Sequence, residues 1–168
     1  MKILITGVHG FVGSNLVTAL KNKHIIYGLD IVTPLKDGVR FTFGWDNLKD
    51  GQIPEIDAII HLAGKAHDTK NQTVAEQYFR VNTELTQIIF DYFLAHDGIK
   101  KFVFFSTAKA AADKVEGVLM EDVIPAPVGP YGESKIAAEE YILSHKKVFD
   151  SIGKQVYIFR PCMIHGPY

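Results

Sequence analysis

Residues 3–13 read ILITGVHGFVG, and the rest of the chain is organised around them. Ile3–Ile5 is a short continuous apolar run, the pattern of a strand buried on both faces. Glycines at 7, 10 and 13 follow at once and open an apolar-periodic stretch, Phe11–Lys21, that predicts a helix. Strand, glycine-rich turn and helix in this order suit a phosphate. Glycines permit the tight bend, the close approach of backbone to a pyrophosphate and close helix–strand packing, while the helix N-terminus favours negative charge. Gly7, Gly10 and Gly13, with Phe11 and Val12 in the first helical turn, are therefore candidate ligand contacts.

About 20 residues on, Asp30 follows a second apolar run, Ile25–Leu29, where an acid bonds the ribose hydroxyls of a bound dinucleotide. A turn or helix-capping role competes with that reading. An ionised Asp30 also repels a 2′-phosphate, and no arginine lies in the glycine turn or immediately after the second run, which favours NAD over NADP. Asp46, in FGWDN, is placed either to bond the adenine amino group or to cap a helix.

Further runs of strand length occur at Val39–Phe43, Ala58–Leu62, Phe102–Phe105 and Val156–Phe159, with helical patterns at Thr73–His96 and Tyr131–Phe149. Strands alternating with crossover-length helices predict an α/β fold, a doubly wound parallel sheet. At 168 residues one domain, 1–168, accounts for the chain. Its 47% hydrophobic and 22% charged residues are those of a globular protein, and a net charge of −1 supplies no field for nucleic acid or an anionic membrane. The single Cys162, read as a small buried hydrophobe, makes no internal disulfide and no cysteine spacing suits a metal, which fits a reducing, cytoplasmic setting. No stretch approaches the roughly 20 apolar residues of a membrane span. Residues Ala108–Pro130 form a long loop of the kind kept for function.

PYGESK, at 130–135, places Tyr131 and Lys135 four residues apart, on one face of a helix whose first turn suits Pro130. An ammonium about 5 Å from the phenol, at an effective dielectric near 20, favours the phenolate by on the order of 3 kcal/mol. Such a tyrosine can take a proton from a substrate hydroxyl. A surface Tyr and Lys on an amphipathic helix is the alternative origin of the spacing.

Taken in order, GVHGFVG, Asp30, HLAG at 61–64, VN at 81–82, FFSTA at 104–108, YGESK at 131–135 and RPCMIHGP at 160–167 resemble the extended short-chain dehydrogenase/reductase family, in particular its UDP-glucose 4-epimerase-like members. The resemblance implies a Rossmann domain binding NAD, with His61, Leu62, Ala63 and Gly64 along the cofactor and Pro161 near its carboxamide. It also implies that Asn82 braces a helix near the active site and that Lys135 bonds the nicotinamide ribose. Catalysis then falls to Tyr131, Lys135 and Thr107; a simple capping hydroxyl is the alternative for Thr107 at a strand end, but its place 24 residues before the tyrosine, close to the family's separation, favours the catalytic reading.

The implied reaction is 4-epimerisation of a UDP-hexose or UDP-N-acetylhexosamine through a 4-keto sugar. A 4-ketoreductase uses the same residues, and a non-catalytic dinucleotide-binding regulator is the alternative of another class. Ala108 and Lys109 stand where dehydratases of the family carry an acidic pair, and Ala111 and Ala112 replace a tyrosine and glycine common in epimerases. His67, Lys65 and Lys109 are of types usually just solvated and are left outside the site. Family members continue for nearly as many residues again, so the C-terminal substrate domain is expected to be largely missing. A homodimer is also implied, built on the helices at 73–96 and 131–149, whose Phe90, Phe93, Tyr141 and Ile142 exceed what one sheet face is expected to cover.

Overall fold

Six strands pair in parallel in the order β3-β2-β1-β4-β5-β6 in the computed structural model, which describes residues 1–66, 74–115 and 117–167. They are β1 Lys2–Thr6, β2 Ile25–Leu29, β3 Phe41–Phe43, β4 Ala58–His61, β5 Lys101–Phe105 and β6 Gln155–Phe159. The sheet grows from β1 towards one edge and restarts at β4 on its other side, so the connections leave in opposite directions and open a crevice above the strand ends of β1 and β4. Ile5 stands opposite both Gly28 and Ile60, at the centre of this switch.

Both faces are covered, which is why the runs are continuous. On one face α1 (Phe11–Leu20) lays Val17, with Leu16 and Leu20, over Ile3, Ile5, Ile26 and Ile60. On the other, α4 (Leu85–Ala95), α6 (Pro130–Ser144) and α7 (Lys146–Ser151) pack Ile89, Phe90, Phe93, Ile142 and Phe149 on Leu4, Ile59, Phe102 and Phe104. Each large side chain buried here contributes about 1.5–3 kcal/mol. Beyond the reach of α1, Tyr157 and Phe159 of β6 stay half-exposed on its face. At the opposite end, the buried Lys154 ammonium, just before β6, donates to the carbonyls of Phe93, Leu94 and His96 and so closes the C-terminus of α4.

Several local expectations are revised. Only Phe41–Phe43 of the third run pairs, because Gly38, at φ +82°, turns the chain before it and Val39 packs beside the α1 core instead. A short helix, α2 (Trp45–Lys49), follows β3, and another, α5 (Ala108–Ala111), begins the long loop. Of the helix expected at 73–96, Thr73 lies outside the described residues; the rest comprises α3 (Ala75–Tyr78), a π-helical turn at Phe79–Glu84, and α4. The wider turn accompanies bonds to the neighbouring helix: Thr83 Oγ1 donates to Ser134 O at 2.8 Å and Asn82 Nδ2 to Ser134 Oγ at 3.0 Å. The helix expected at 131–149 breaks at His145, between α6 and α7.

Three of the four residues expected to form an apolar excess on α4 and α6 are covered by the chain itself. Phe90, Phe93 and Ile142 are fully buried within the chain, since α4, α6 and α7 pack on one another as well as on the sheet. Tyr141 is occupied by Asp91, to which its hydroxyl donates at 2.6 Å. Among the described residues, no helix is long and apolar enough to cross a membrane, and no group of three or more His, Cys, Asp or Glu is placed to hold a metal ion.

Candidate active site

The glycine turn leaves β1 at Gly7, whose φ of +68° is a conformation that side chains rarely allow. A Cβ there would also lie 3.0 Å from Ala63 N, so the turn and the segment after β4 touch backbone to backbone. At Gly13 a Cβ would lie 2.4 Å from Gly7 O and 2.8 Å from Val8 Cα, so the first turn of α1 is pressed onto the loop. Gly10 is the N-cap and no side chain caps it, which leaves the first-turn amides around Phe11, Val12 and Gly13 without a side-chain acceptor and suited to an anionic one.

Asp30 stands at the end of β2 against this turn, and its carboxylate accepts His9 N at 3.0 Å and Ile31 N at 2.8 Å. Asp46 is exposed in the first turn of α2, 3.8 Å from Lys49. Capping of α2 falls instead to Gly44 and Asn47, whose Oδ1 accepts Gly44 N at 2.8 Å. One cation that sequence reasoning passed over, Lys36, reaches back to α1 and donates to Ser14 Oγ at 2.8 Å.

The segment after β4 joins this half to the other. Leu62 N and Ala63 N both donate to Thr6 Oγ1, at 3.1 and 3.0 Å, fixing the chain where it passes the glycine turn. Gly64 comes next, and a Cβ on it would sit 3.0 Å from Asn82 Oδ1 and 3.2 Å from Lys135 Nζ. Asn82 is fully buried in the π-helical turn; its Oδ1 accepts Lys65 N at 2.7 Å while its Nδ2 donates to Lys65 O at 3.2 Å and to Ser134 Oγ.

On α6, Gly129 at φ +79° turns the chain into Pro130 at the first helical position, and Tyr131 and Lys135 follow. The Tyr131 ring meets the buried Tyr78 edge-on at 6.0 Å. Lys135 Nζ donates to Phe105 O at 3.0 Å and lies 4.9 Å from the centre of the Phe104 ring. A Cβ on Gly132 would lie 2.5 Å from Lys109 O, so the first turn of α6 is held hard against α5. Thr107 begins α5 as its N-cap, with its hydroxyl accepting Lys109 N at 3.3 Å. Pro161 lies alongside, its carbonyl accepting Ala108 N at 3.0 Å.

Three placements depart from expectation. His61 does not line the crevice; its ring is fully buried below it, between Thr6 Oγ1 at 2.7 Å and Thr86 Oγ1 at 2.9 Å, and stacks on Phe104. Cys162 is exposed, because it lies beyond the last paired residue of β6. Lys109 pairs with Asp113 at 3.1 Å, and His67 lies outside the described residues.

Burial is the main electrostatic influence. It holds His61 neutral, lowering its pKa to about 3, with the Lys135 charge acting in the same direction. It also lowers Lys135 to about 8, partly opposed by the carboxylate of Glu139. Sequence reasoning missed Glu139 and its partners Ser106 and Arg160, although an acid four residues after Lys135 on the same helix face was a visible signal.

The NAD dependent epimerase/dehydratase family matches residues 3–168. A UDP-glucose 4-epimerase of Vibrio cholerae is 34% identical over 98% of the chain and 52% of its own length. A dTDP-glucose 4,6-dehydratase of Streptomyces antibioticus is 27% identical over 100% of the chain and 55% of its own. Among solved structures, a UDP-glucuronic acid 4-epimerase from Bacillus cereus in complex with NAD superposes with a TM-score of 0.78 at 28% identity, covering 99% of this chain and 58% of that one. The chain thus spans about half the length of the curated relatives it matches.

Proposed function

We propose, on the premise that the chain belongs to the NAD dependent epimerase/dehydratase family, that it carries the cofactor-binding and proton-transfer machinery of a nucleotide-sugar 4-epimerase working through a transient 4-keto sugar. The observation that carries this reading is the meeting at Gly64: Lys135 Nζ and Asn82 Oδ1 converge there, one residue from Ala63, which abuts the glycine turn. The residues that would bind a dinucleotide and those that would move a proton share one crevice.

NAD is the family's cofactor, and the residues fit it. The first-turn amides of α1 suit its diphosphate, Asp30 its adenosine ribose, and Lys135 its second ribose. Leu62, Ala63 and Pro161 supply backbone beside that path, and Asp46 is kept as a solvent-side candidate for the adenine. When bound, NAD supplies a reversible hydride acceptor for C4 of the sugar. In this reading Tyr131 takes the proton of the 4-hydroxyl, Lys135 favours the phenolate from one turn away, and Thr107 orients the hydroxyl. Asn82 keeps the 64–65 backbone tied to α6.

Epimerisation and dehydration both pass through a 4-keto sugar, but dehydration also needs an acid and a base to remove water. Thr107 is followed by Ala108 and by Lys109, which is bound to Asp113, and this favours epimerisation. The substrate class proposed is a UDP-hexose or UDP-N-acetylhexosamine. In an assay with NAD and UDP-galactose, the protein extended to the length of its relatives is expected to form the 4-epimer with no added reduced cofactor, and the 168-residue chain to bind NAD without turnover. Tyr131→Phe should abolish epimer formation and leave NAD affinity within about twofold. Turnover by that variant at the wild-type rate, or net reduction of a 4-keto sugar at the expense of NADH, would refute the assignment.

A further inference from the structure

One helical turn past Lys135 lies a buried carboxylate that takes no part in the chemistry above. Glu139 is 1% exposed. It accepts from Ser106 Oγ, from Arg160 Nε at 3.1 and 3.0 Å, and from Arg160 Nη2 at 2.6 Å. Ser106 immediately precedes Thr107 at the end of β5, and Arg160 immediately precedes Pro161 at the end of β6. An ion pair whose carboxylate is this deeply buried adds little net stability, because desolvation of the charge offsets the attraction, and apolar side chains of the same volume would hold α6 to the sheet as well. What apolar groups would lack is direction and charge.

We propose that Glu139 is a positioning residue of the reaction centre: it fastens the strand ends carrying Thr107 and Pro161 to the helix carrying Tyr131 and Lys135, and it supplies the counter-charge to the Lys135 ammonium. The inference rests on the catalytic reading given above. Two neighbouring residues of one strand end grip the two members of the helical pair, since Lys135 donates to the Phe105 carbonyl and Glu139 accepts from the Ser106 hydroxyl. A shift of α6 along its axis breaks both bonds together, so the register of Tyr131 against Thr107 is held at two adjacent points.

The charges around Lys135 are few. His61 faces it from β4 and is neutral; Tyr131 and Glu139 flank it on α6; Arg160 stands behind Glu139 at the end of β6; Lys109 on α5 is neutralised by Asp113. Lys65 follows Gly64 on the segment after β4. Burial lowers the lysine to about 8 and Glu139 opposes that fall. Without the carboxylate the buried ammonium would lose the one charge that opposes its desolvation.

The test is a titration of the chain carrying ¹³C-labelled lysine, with the Lys135 resonance assigned by its loss in Lys135→Met. Glu139→Gln keeps an oxygen for Ser106 and removes the charge; the Lys135 midpoint is expected to fall by about one pH unit, a tenfold loss of proton affinity. A purely structural role predicts the opposite sign, because loosening α6 admits water and lets the midpoint climb towards that of a free lysine. A midpoint that stays or rises in Glu139→Gln overturns the proposal. Should that variant not fold, Arg160→Met removes the cation that neutralises the carboxylate, and a raised midpoint with unchanged amide-exchange protection of α6 supports the role, whereas an unchanged or lowered one overturns it. The measurement needs no cofactor, and NAD titration of the same samples separates the two levels. Wild-type protein that binds no NAD defeats the catalytic reading, while NAD binding with an immobile Lys135 midpoint defeats only the role of Glu139.

Discussion

Replacing Gly13 by alanine sets two effects of known size against each other. In a helix interior alanine is favoured over glycine by about 0.8–1 kcal/mol. The new Cβ, however, would lie 2.4 Å from Gly7 O, 2.8 Å from Val8 Cα and 2.9 Å from Val8 C, all backbone atoms that no rotamer change can move aside. Restoring ordinary contact requires α1 to retreat by the better part of an ångström from a turn on which it is packed through Val17 and Leu16. Overpacking of this kind costs about 1–3 kcal/mol or more, and the contact with backbone places Gly13→Ala at the upper end. The net expectation is a loss of about 2 kcal/mol, or a Tm lower by about 4–8 °C for a chain of this size. NAD affinity should fall at least tenfold, because the amides that meet the diphosphate move with the helix. Gly98→Ala is the control: nothing lies within 4 Å of its Cβ and its φ is not left-handed, so it should be neutral or slightly stabilising. Calorimetric unfolding and NAD titration of both variants decide the matter. If Gly13→Ala is as stable as Gly98→Ala, the close packing of helix and turn has been misjudged.

Asp30→Ala should weaken NAD binding by tenfold or more and narrow the discrimination against NADP, measured by parallel calorimetric titrations; an unchanged preference would remove the carboxylate from the ribose site. Stability should depend on pH through two buried groups. Folded His61 refuses a proton down to about pH 3 while the unfolded ring accepts one near 6.5, so the unfolded state binds more protons and stability drops as pH falls from about 6.5. Lys135 is deprotonated above about pH 8 when folded but keeps its proton to about 10.5 when unfolded, so stability climbs with pH across that interval. Urea titrations of His61→Gln and Lys135→Met should lose the acid and alkaline dependence respectively, and persistence of either slope in its variant would assign it to another group.

What could be read from the sequence follows from how local the physics is. Ile3–Ile5 and Phe102–Phe105 are legible as strands because burial on both faces imposes continuous apolar runs, Gly7 because the tight turn puts its own φ at +68°, and Gly13 because contacts within a few residues forbid a side chain. Tyr131 and Lys135 follow from one helical turn. The π-helical turn was hidden, since its bonds run from Asn82 and Thr83 to Ser134, 51 or 52 residues away in sequence. His61 was misplaced for a related reason: a residue ending β4 can face either way, and the hydroxyls of Thr6 and Thr86 that satisfy it below the sheet are 55 and 25 residues distant. Phe90, Phe93 and Ile142 were counted as surplus because counting on single helices cannot anticipate that α4, α6 and α7 cover one another.

Lys154 gives the protein a chemical clock. Its amine is enclosed by three carbonyls at the end of α4 and by the Phe93 ring, 4.6 Å from the ammonium. An acylating reagent therefore meets it only during moments when that helix end lets go, whereas the exposed Lys49 reacts at its intrinsic rate. The ratio of acylation at the two lysines reports how often the base of α4 opens in the folded protein. Because α4 continues from the turn that holds Asn82, the same ratio measured with and without NAD would register whether filling the crevice quiets the far end of the helix.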